Sequence, residues 1–324
     1  MRPRVGFLGT GWIGRHRMAA IAATDEIEIV AISDSAPECV AEAAAIAPAA
    51  QVVGSLEQML ALKLDGVVIA TPSALHAAQS IAALRAGAAV FCQKPLGRDA
   101  GEVAVVITAA RAADRLLGVD LSYRHTAAAA TIAELIRAGE LGEIFAVDLV
   151  FHNAYGPDKP WFYDPQQSGG GCVIDLGVHL VDLALWTLDF PTVADVHATL
   201  FAGGTPLAPD AVEDYAAAGF RAGGTDVRLA CSWRLHAGHE AVIEASFYGT
   251  RGGAALRNVA GSFYDFTAER FDGTAATRLV DPPDDWGGRA AAAWARQLAR
   301  SPAFDPAAER LLDSAQVLDR IYGR

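Results

Sequence analysis

Residues 4 to 34 run Arg-Val-Gly-Phe-Leu-Gly-Thr-Gly-Trp-Ile-Gly, then a stretch of helical length, then Glu-Ile-Val-Ala-Ile-Ser-Asp. A short apolar strand, a turn with glycines at 9, 11 and 14, a helix, a second apolar strand and a terminal acid leave few folds open. Each glycine answers a separate steric demand. Gly9 permits the tight turn, Gly11 lets backbone approach a pyrophosphate, and Gly14 lets the helix pack close on the strand. The helix N-terminus then offers unpaired N–H groups and partial positive charge to phosphates. Asp34 follows Gly14 by twenty residues, where a carboxylate accepts bonds from the adenine ribose hydroxyls. The frame predicts a dinucleotide site built from Gly9, Thr10, Gly11, Trp12, Ile13, Gly14, Asp34 and Ser35.

The same acid speaks to which dinucleotide. Neither Arg nor Lys lies beside Asp34 in Ser33-Asp34-Ser35-Ala36-Pro37. A carboxylate where a 2′-phosphate would sit repels it, so NAD(H) is expected in preference to NADP(H).

A chain of 324 residues suggests two domains, at roughly 100–200 residues each. With 52% hydrophobic residues there is material for two cores. The formal charge of −12 argues against a nucleic-acid surface, which needs a basic face. Cys39, Cys92, Cys172 and Cys231 are widely spaced and form no C-x-x-C pair. They read as buried thiols of a reducing compartment, with no metal site. The sequence passes directly from Met1-Arg2-Pro3-Arg4 into the first strand, and no apolar run is read as approaching the ~18 residues of a membrane span. The expectation is a cytoplasmic protein that does not engage a membrane.

Up to residue 121, branched apolar runs at 5–8, 27–32, 66–70, 88–92 and 116–119 alternate with Ala-rich stretches at 14–23, 37–46, 75–86 and 100–114. Ser55 is suited to cap a further short helix. That alternation predicts an α/β domain over 1–121, a Rossmann-type parallel sheet covered by helices. The pattern then changes. A helix at 127–138 precedes an alternating strand at 144–152, with further strand candidates at 193–203, 213–222, 225–236, 240–249 and 262–270. Residues 122–324 therefore read as an α+β domain. Its large, mostly antiparallel open sheet carries helices that lean on the first domain, including a closing helix at 305–322.

Three more segments carry chemistry. Ala70-Thr71-Pro72-Ser73-Ala74-Leu75-His76 follows a parallel strand, where ligands of such sheets bind. Taken alone, His76 there reads better as a satisfied surface or core group. Phe91-Cys92-Gln93-Lys94-Pro95 is a second strand end; it carries one of only three lysines into a proline-stiffened loop. The third runs Gly169-Gly170-Gly171-Cys172-Val173-Ile174-Asp175-Leu176-Gly177-Val178-His179-Leu180-Val181-Asp182. A helix over 173–188 would set Asp175 and His179 on one face, with Asp182 a turn further.

These four motifs, in this order along nearly the whole chain, resemble the Gfo/Idh/MocA oxidoreductase family, which includes inositol, glucose–fructose and other sugar dehydrogenases. The resemblance implies that Lys94, Asp175 and His179 are catalytic and face a nicotinamide. It implies that Ala70, Thr71, Pro72, His76, Gln93 and Lys94 line the cofactor. The substrate, a carbohydrate or polyol, would meet Lys94, Asp175 and His179, with Tyr123, Arg124 and Trp161 as further contacts. His179 has a suitable unperturbed pKa to take the alcohol proton, and a Lys94 ammonium would stabilise the developing oxygen charge. Relatives often pair through the open sheet, so a homodimer or homotetramer is expected.

The chain departs from the family at Gln93, where glutamate is usual. A neutral amide there removes a charge that would steady the lysine ammonium. Two other readings stay open at this point: NAD used transiently for glycoside hydrolysis or epimerisation, and a non-catalytic cofactor sensor.

Overall fold

In the computed structural model, which describes residues 1–324, the apolar runs of the N-terminal third become the strands of one parallel sheet. These are β1 (Arg4–Leu8), β2 (Glu28–Ser33), β3 (Gln51–Val52), β4 (Gly66–Ile69), β5 (Ala89–Cys92) and β6 (Leu117–Val119), in the order β3-β2-β1-β4-β5-β6. Val5, Phe7, Val68 and Phe91 are buried in it. Continuous apolar strands of this kind are what a sheet covered on both faces requires. The edge strand β3 is only two residues long, too short to announce itself in sequence.

Helices Trp12–Ala22, Pro37–Ile46, Ser73–Arg85 and Ala100–Ala113 alternate with the strands. Asp99 caps the last of these through the Glu102 amide at 2.8 Å, and Ser55 caps the short helix Leu56–Leu60 through the Gln58 amide at 3.3 Å.

Two compact units result: Met1–Ser122 with Gly287–Leu312, and Tyr123–Trp286 with Asp313–Arg324. The expected assignment of everything after 121 to the second domain therefore needs correction. The unforeseen helix Arg289–Arg300 belongs to the first unit and buries Trp294 and Leu298 in its core. Its close approach has a steric cause. A Cβ on Gly118 would lie 2.8 Å from the Trp294 ring, and one on Gly66 would lie 2.9 Å from Leu298. Ala291, Trp294, Ala295 and Leu298 mark it locally as an amphipathic helix, but the glycines that admit it lie in distant segments, so the sequence nearby does not say which unit it joins.

The second unit contains nine strands: β7 (Ile144–Asn153), β8 (Val193–Ala202), β9 (Thr205–Pro206), β10 (Tyr215–Ala222), β11 (Thr225–Ser232), β12 (Ala241–Gly249), β13 (Gly252–Asn258), β14 (Phe266–Asp272) and β15 (Ala275–Val280). Their order is β15-β14-β13-β12-β7-β11-β10-β8-β9, and only β7 with β11 is parallel. Ile243, Phe151 and Cys231 stand in one row across three strands, all buried. The opposite face carries Asp148, Arg228, Glu244 and Arg257. Strands β13 and β15 were not expected. The first opens on two glycines, and the second is almost wholly exposed and lacks alternation.

The helical run Pro165–Thr187 is apolar enough over 23 residues to cross a bilayer, although Asp175, His179 and Asp182 interrupt it in sequence. It is a core helix: 94% of its most apolar window is buried inside the protein.

Candidate functional site

The first unit gathers its predicted residues at the carboxyl ends of β1, β2 and β4, where the strand order reverses. Gly9 has φ +85°, and a Cβ there would strike the Ala70 carbonyl at 2.5 Å. A Cβ on Gly14 would meet the Gly9 carbonyl at 2.2 Å. Gly11 differs from both, since a Cβ on it would meet no protein atom within 4 Å. The protein's own packing makes no demand for a glycine at 11. A pyrophosphate lying against the loop at the N-terminus of helix Trp12–Ala22 would make that demand.

Around that loop Thr10 is buried, Ile13 half-buried, and Trp12 and Ser35 exposed. Asp34 accepts the Thr10 amide at 2.5 Å on Oδ2 and the Ala36 amide at 2.9 Å on Oδ1. Its carboxylate thus fixes the end of β2 against the glycine loop.

Ala70, Thr71 and Pro72 follow β4 and are half-buried. His76 is 1% exposed, with Nδ1 2.6 Å from the Pro95 carbonyl and Nε2 2.7 Å from the Thr71 carbonyl. It ties the loop after β4 to the loop after β5. Burial pushes its pKa below the ordinary value. Lys94 is half-buried on the braced loop. Gln93 is 8% exposed and donates from Nε2 to Asp120 at 2.5 Å.

In the second unit, the glycine run enters a π-helical turn, Val173–Gly177, that continues as helix Val178–Thr187. Such turns occur often at functional sites, because they shift side chains off the regular helical register. Within residues 171–180 only Asp175 and His179 are not buried. Glu213 anchors the entry: its carboxylate accepts the amides of Gly171 and Val173 at 2.9 Å and the Tyr322 hydroxyl at 2.8 Å. Burial raises the Glu213 pKa.

Asp175 Oδ2 accepts the Trp233 indole N–H at 3.1 Å. The Tyr123 ring lies 4.8 Å from that of His179 and is packed by Phe151, Phe266 and Trp286. Burial and then the Asp175 charge push its phenol well above the usual tyrosine range. Trp161 stacks on Phe162 at 3.8 Å, and Phe162 meets Trp233 edge-on at 6.2 Å. The aromatic loop is therefore assembled beside the tryptophan that holds Asp175.

Arg124 and Asp182 are paired with each other. Asp182 is 2% exposed and takes both Nε and a terminal nitrogen of Arg124. Arg124 also lies over the rings of Trp186 and Phe190. The pair is a structural fork, with the arginine's donors engaged by Asp182. Trp233, Glu213 and Tyr322 escaped the sequence reading as supports of the site. They lie 38 to 147 residues from Asp175 and match no local motif.

Two family models cover most of the chain. The GFO/IDH/MocA model described as "Oxidoreductase family, NAD-binding Rossmann fold" matches residues 3–121, and the GFO/IDH/MocA C-terminal domain model matches residues 129–255. Among curated proteins, a D-glucoside 3-dehydrogenase of Escherichia coli is 29% identical over 272 residues, covering 78% of this chain and 76% of its own. A putative UDP-kanosamine synthase oxidoreductase subunit of Amycolatopsis mediterranei is 31% identical over 278 residues, covering 79% and 75%. Among solved structures, a levoglucosan dehydrogenase in complex with NADH and levoglucosan superposes with a TM-score of 0.84 at 22% identity, covering 100% of this chain and 97% of the other. A 3-ketoreductase from Actinomadura kijaniata in complex with NADP gives a TM-score of 0.84 at 22% identity, with coverage of 100% and 98%.

Proposed function

The chain belongs to the GFO/IDH/MocA family of NAD-binding oxidoreductases, and on that premise we propose that it oxidises a secondary hydroxyl, or reduces the matching carbonyl, of a sugar or polyol. The observation that carries this reading is the exposure pattern at 171–180, where Asp175 and His179 alone break a buried wall. A protein that merely sensed a dinucleotide would have no use for an acid and an imidazole placed so.

A bound nicotinamide would supply the carbon that takes or gives the hydride. The remaining work falls to the chain. His179 takes the hydroxyl proton in oxidation and returns it in reduction. Asp175, steadied by the Trp233 indole, orients the substrate hydroxyl. The Lys94 ammonium stabilises negative charge as it gathers on the substrate oxygen. Tyr123 and the Trp161–Phe162 stack offer flat apolar surface of the kind a sugar ring packs against. NAD(H) is the preferred cofactor, because Asp34 supplies a negative charge where a 2′-phosphate would lie.

The test is a panel of glucosides, anhydro-sugars and inositols, each followed through the absorbance of reduced nicotinamide. Turnover is expected with the unmodified protein. Replacing His179→Asn should lower it by ~10²-fold or more with NADH affinity little changed, the usual scale for a positioned acid or base. Tight NADH binding with no turnover on any panel member would sink the reading in favour of a sensor.

A further inference from the structure

The loop that carries Lys94 is gripped from both sides by buried polar groups, and one of these lies outside the assignments above. Asp120, at the end of β6, is 1% exposed. Its Oδ2 accepts Arg17 Nε at 2.5 Å and Gln93 Nε2 at 2.5 Å, while Oδ1 accepts the Ser122 hydroxyl at 2.9 Å. Arg17, itself 6% exposed, also donates to Ser122 at 3.2 Å. One carboxylate, one guanidinium and two neutral donors are thus closed against one another, with no net charge.

The arrangement dictates what residue 93 can be. An ionised carboxylate only accepts, so the Gln93 amide must present its nitrogen to Asp120. A glutamate at 93 would set a second carboxylate against the first, with one guanidinium between them. One of the two would have to take up a proton or move away. Gln93 immediately precedes Lys94, and beyond it the Pro95 carbonyl is held by His76.

We propose that Asp120 is a positioning residue for Lys94, acting through Gln93, and that the carboxylate serving this loop sits at position 120 in this chain rather than at 93. The proposal rests on the part assigned above to Lys94. It predicts that charge and amide can be exchanged between the two positions.

Four proteins decide it: the unmodified chain, Asp120→Asn, Gln93→Glu, and the exchanged double variant Gln93→Glu/Asp120→Asn. Each single change should lower kcat about 10-fold or more, with KM and NADH affinity within about 3-fold, because positioning of the reacting group is lost rather than binding. The double variant should return kcat to within about 3-fold of the unmodified protein. A second readout needs no substrate. With only three lysines, Lys63, Lys94 and Lys159, reductive ¹³C-methylation gives Lys94 its own NMR signal, assigned by its loss in Lys94→Arg. That signal should move in each single variant and return in the double. If no sugar is turned over, this signal still tests the proposal while the oxidoreductase reading fails on its own.

The double variant keeps the cluster's net charge, so it remains informative where a single variant does not fold. The idea is overturned if the double variant is as poor as the worse single one. Single variants that leave both kcat and the Lys94 signal unchanged overturn it as well.

Discussion

Asp34 spends Oδ2 on the Thr10 amide and Oδ1 on the Ala36 amide, so its carboxylate shapes the glycine loop before any ribose reaches it. Removing it therefore has two effects in one direction. Asp34→Ala should weaken NADH binding by roughly 10-fold or more, since bonds to a charged acceptor contribute about 1.5–3 kcal/mol. It should also narrow the preference over NADPH, because the repulsion goes with the carboxylate. Calorimetric titration with both cofactors checks this. Equal or tighter NADPH binding by the unmodified protein would defeat the assignment.

In the turn between β1 and its helix, glycines required by the fold stand beside one that only a bound ligand would require. Gly14→Ala forces a Cβ against the Gly9 carbonyl at 2.2 Å and should lower both thermal stability and NADH affinity. Gly11→Ala meets only open space. Its unfolding free energy should change by no more than about 0.5–1 kcal/mol, while NADH binding falls sharply. If Gly11→Ala bound NADH normally, the pyrophosphate would not lie against that residue.

A second element, the entry to the π-helical turn, depends on Glu213. Burial raises its pKa above the ordinary 4.5. A raised folded-state pKa means that the stabilising contribution is full below the unfolded value and is lost as pH climbs through the folded one. Glu213→Gln cannot ionise, so the difference in denaturant midpoint between variant and unmodified protein should shift in the variant's favour from about pH 4.5 to 8. Parallel curves would remove Glu213 from the pH dependence.

Considering the whole molecule, the nine-stranded sheet buries Leu229, Cys231 and Trp233 on one face. The other face presents a row of ion pairs. Arg257 reaches Glu244 at 2.9 Å and Glu269 at 3.3 Å, Arg278 reaches Glu269 at 3.2 Å, and Arg228 reaches Asp148 at 2.7 Å. An isologous pairing of two copies through this face would be a polar contact and should weaken with salt. Light scattering should give a multiple of 33.9 kDa, falling towards the single-chain mass in Arg257→Glu, which places three acids together. A single-chain mass for the unmodified protein would defeat the pairing.

What the residues determined unaided is whatever rests on short spacing. Three glycines at a fixed interval, an acid at a strand's end and apolar runs of strand length dictate the parallel sheet and its phosphate-binding turn, because sterics and hydrogen bonding act within a few residues. The four-residue interval from Asp175 to His179 was legible for the same reason. Folding alone decided everything built from distant segments. The helix around Trp294 was drawn into the first unit by glycines at 66 and 118, and the Asp182 carboxylate was matched to Arg124. Trp233 and Glu213 were brought to a helix whose sequence bears no mark of them. Gln93 most clearly marks the division: as a letter it reads as a missing charge, and in the fold it is the neutral partner that a buried aspartate from the neighbouring strand demands. The reason is physical: a buried charge must be matched, and the match is set by proximity in space.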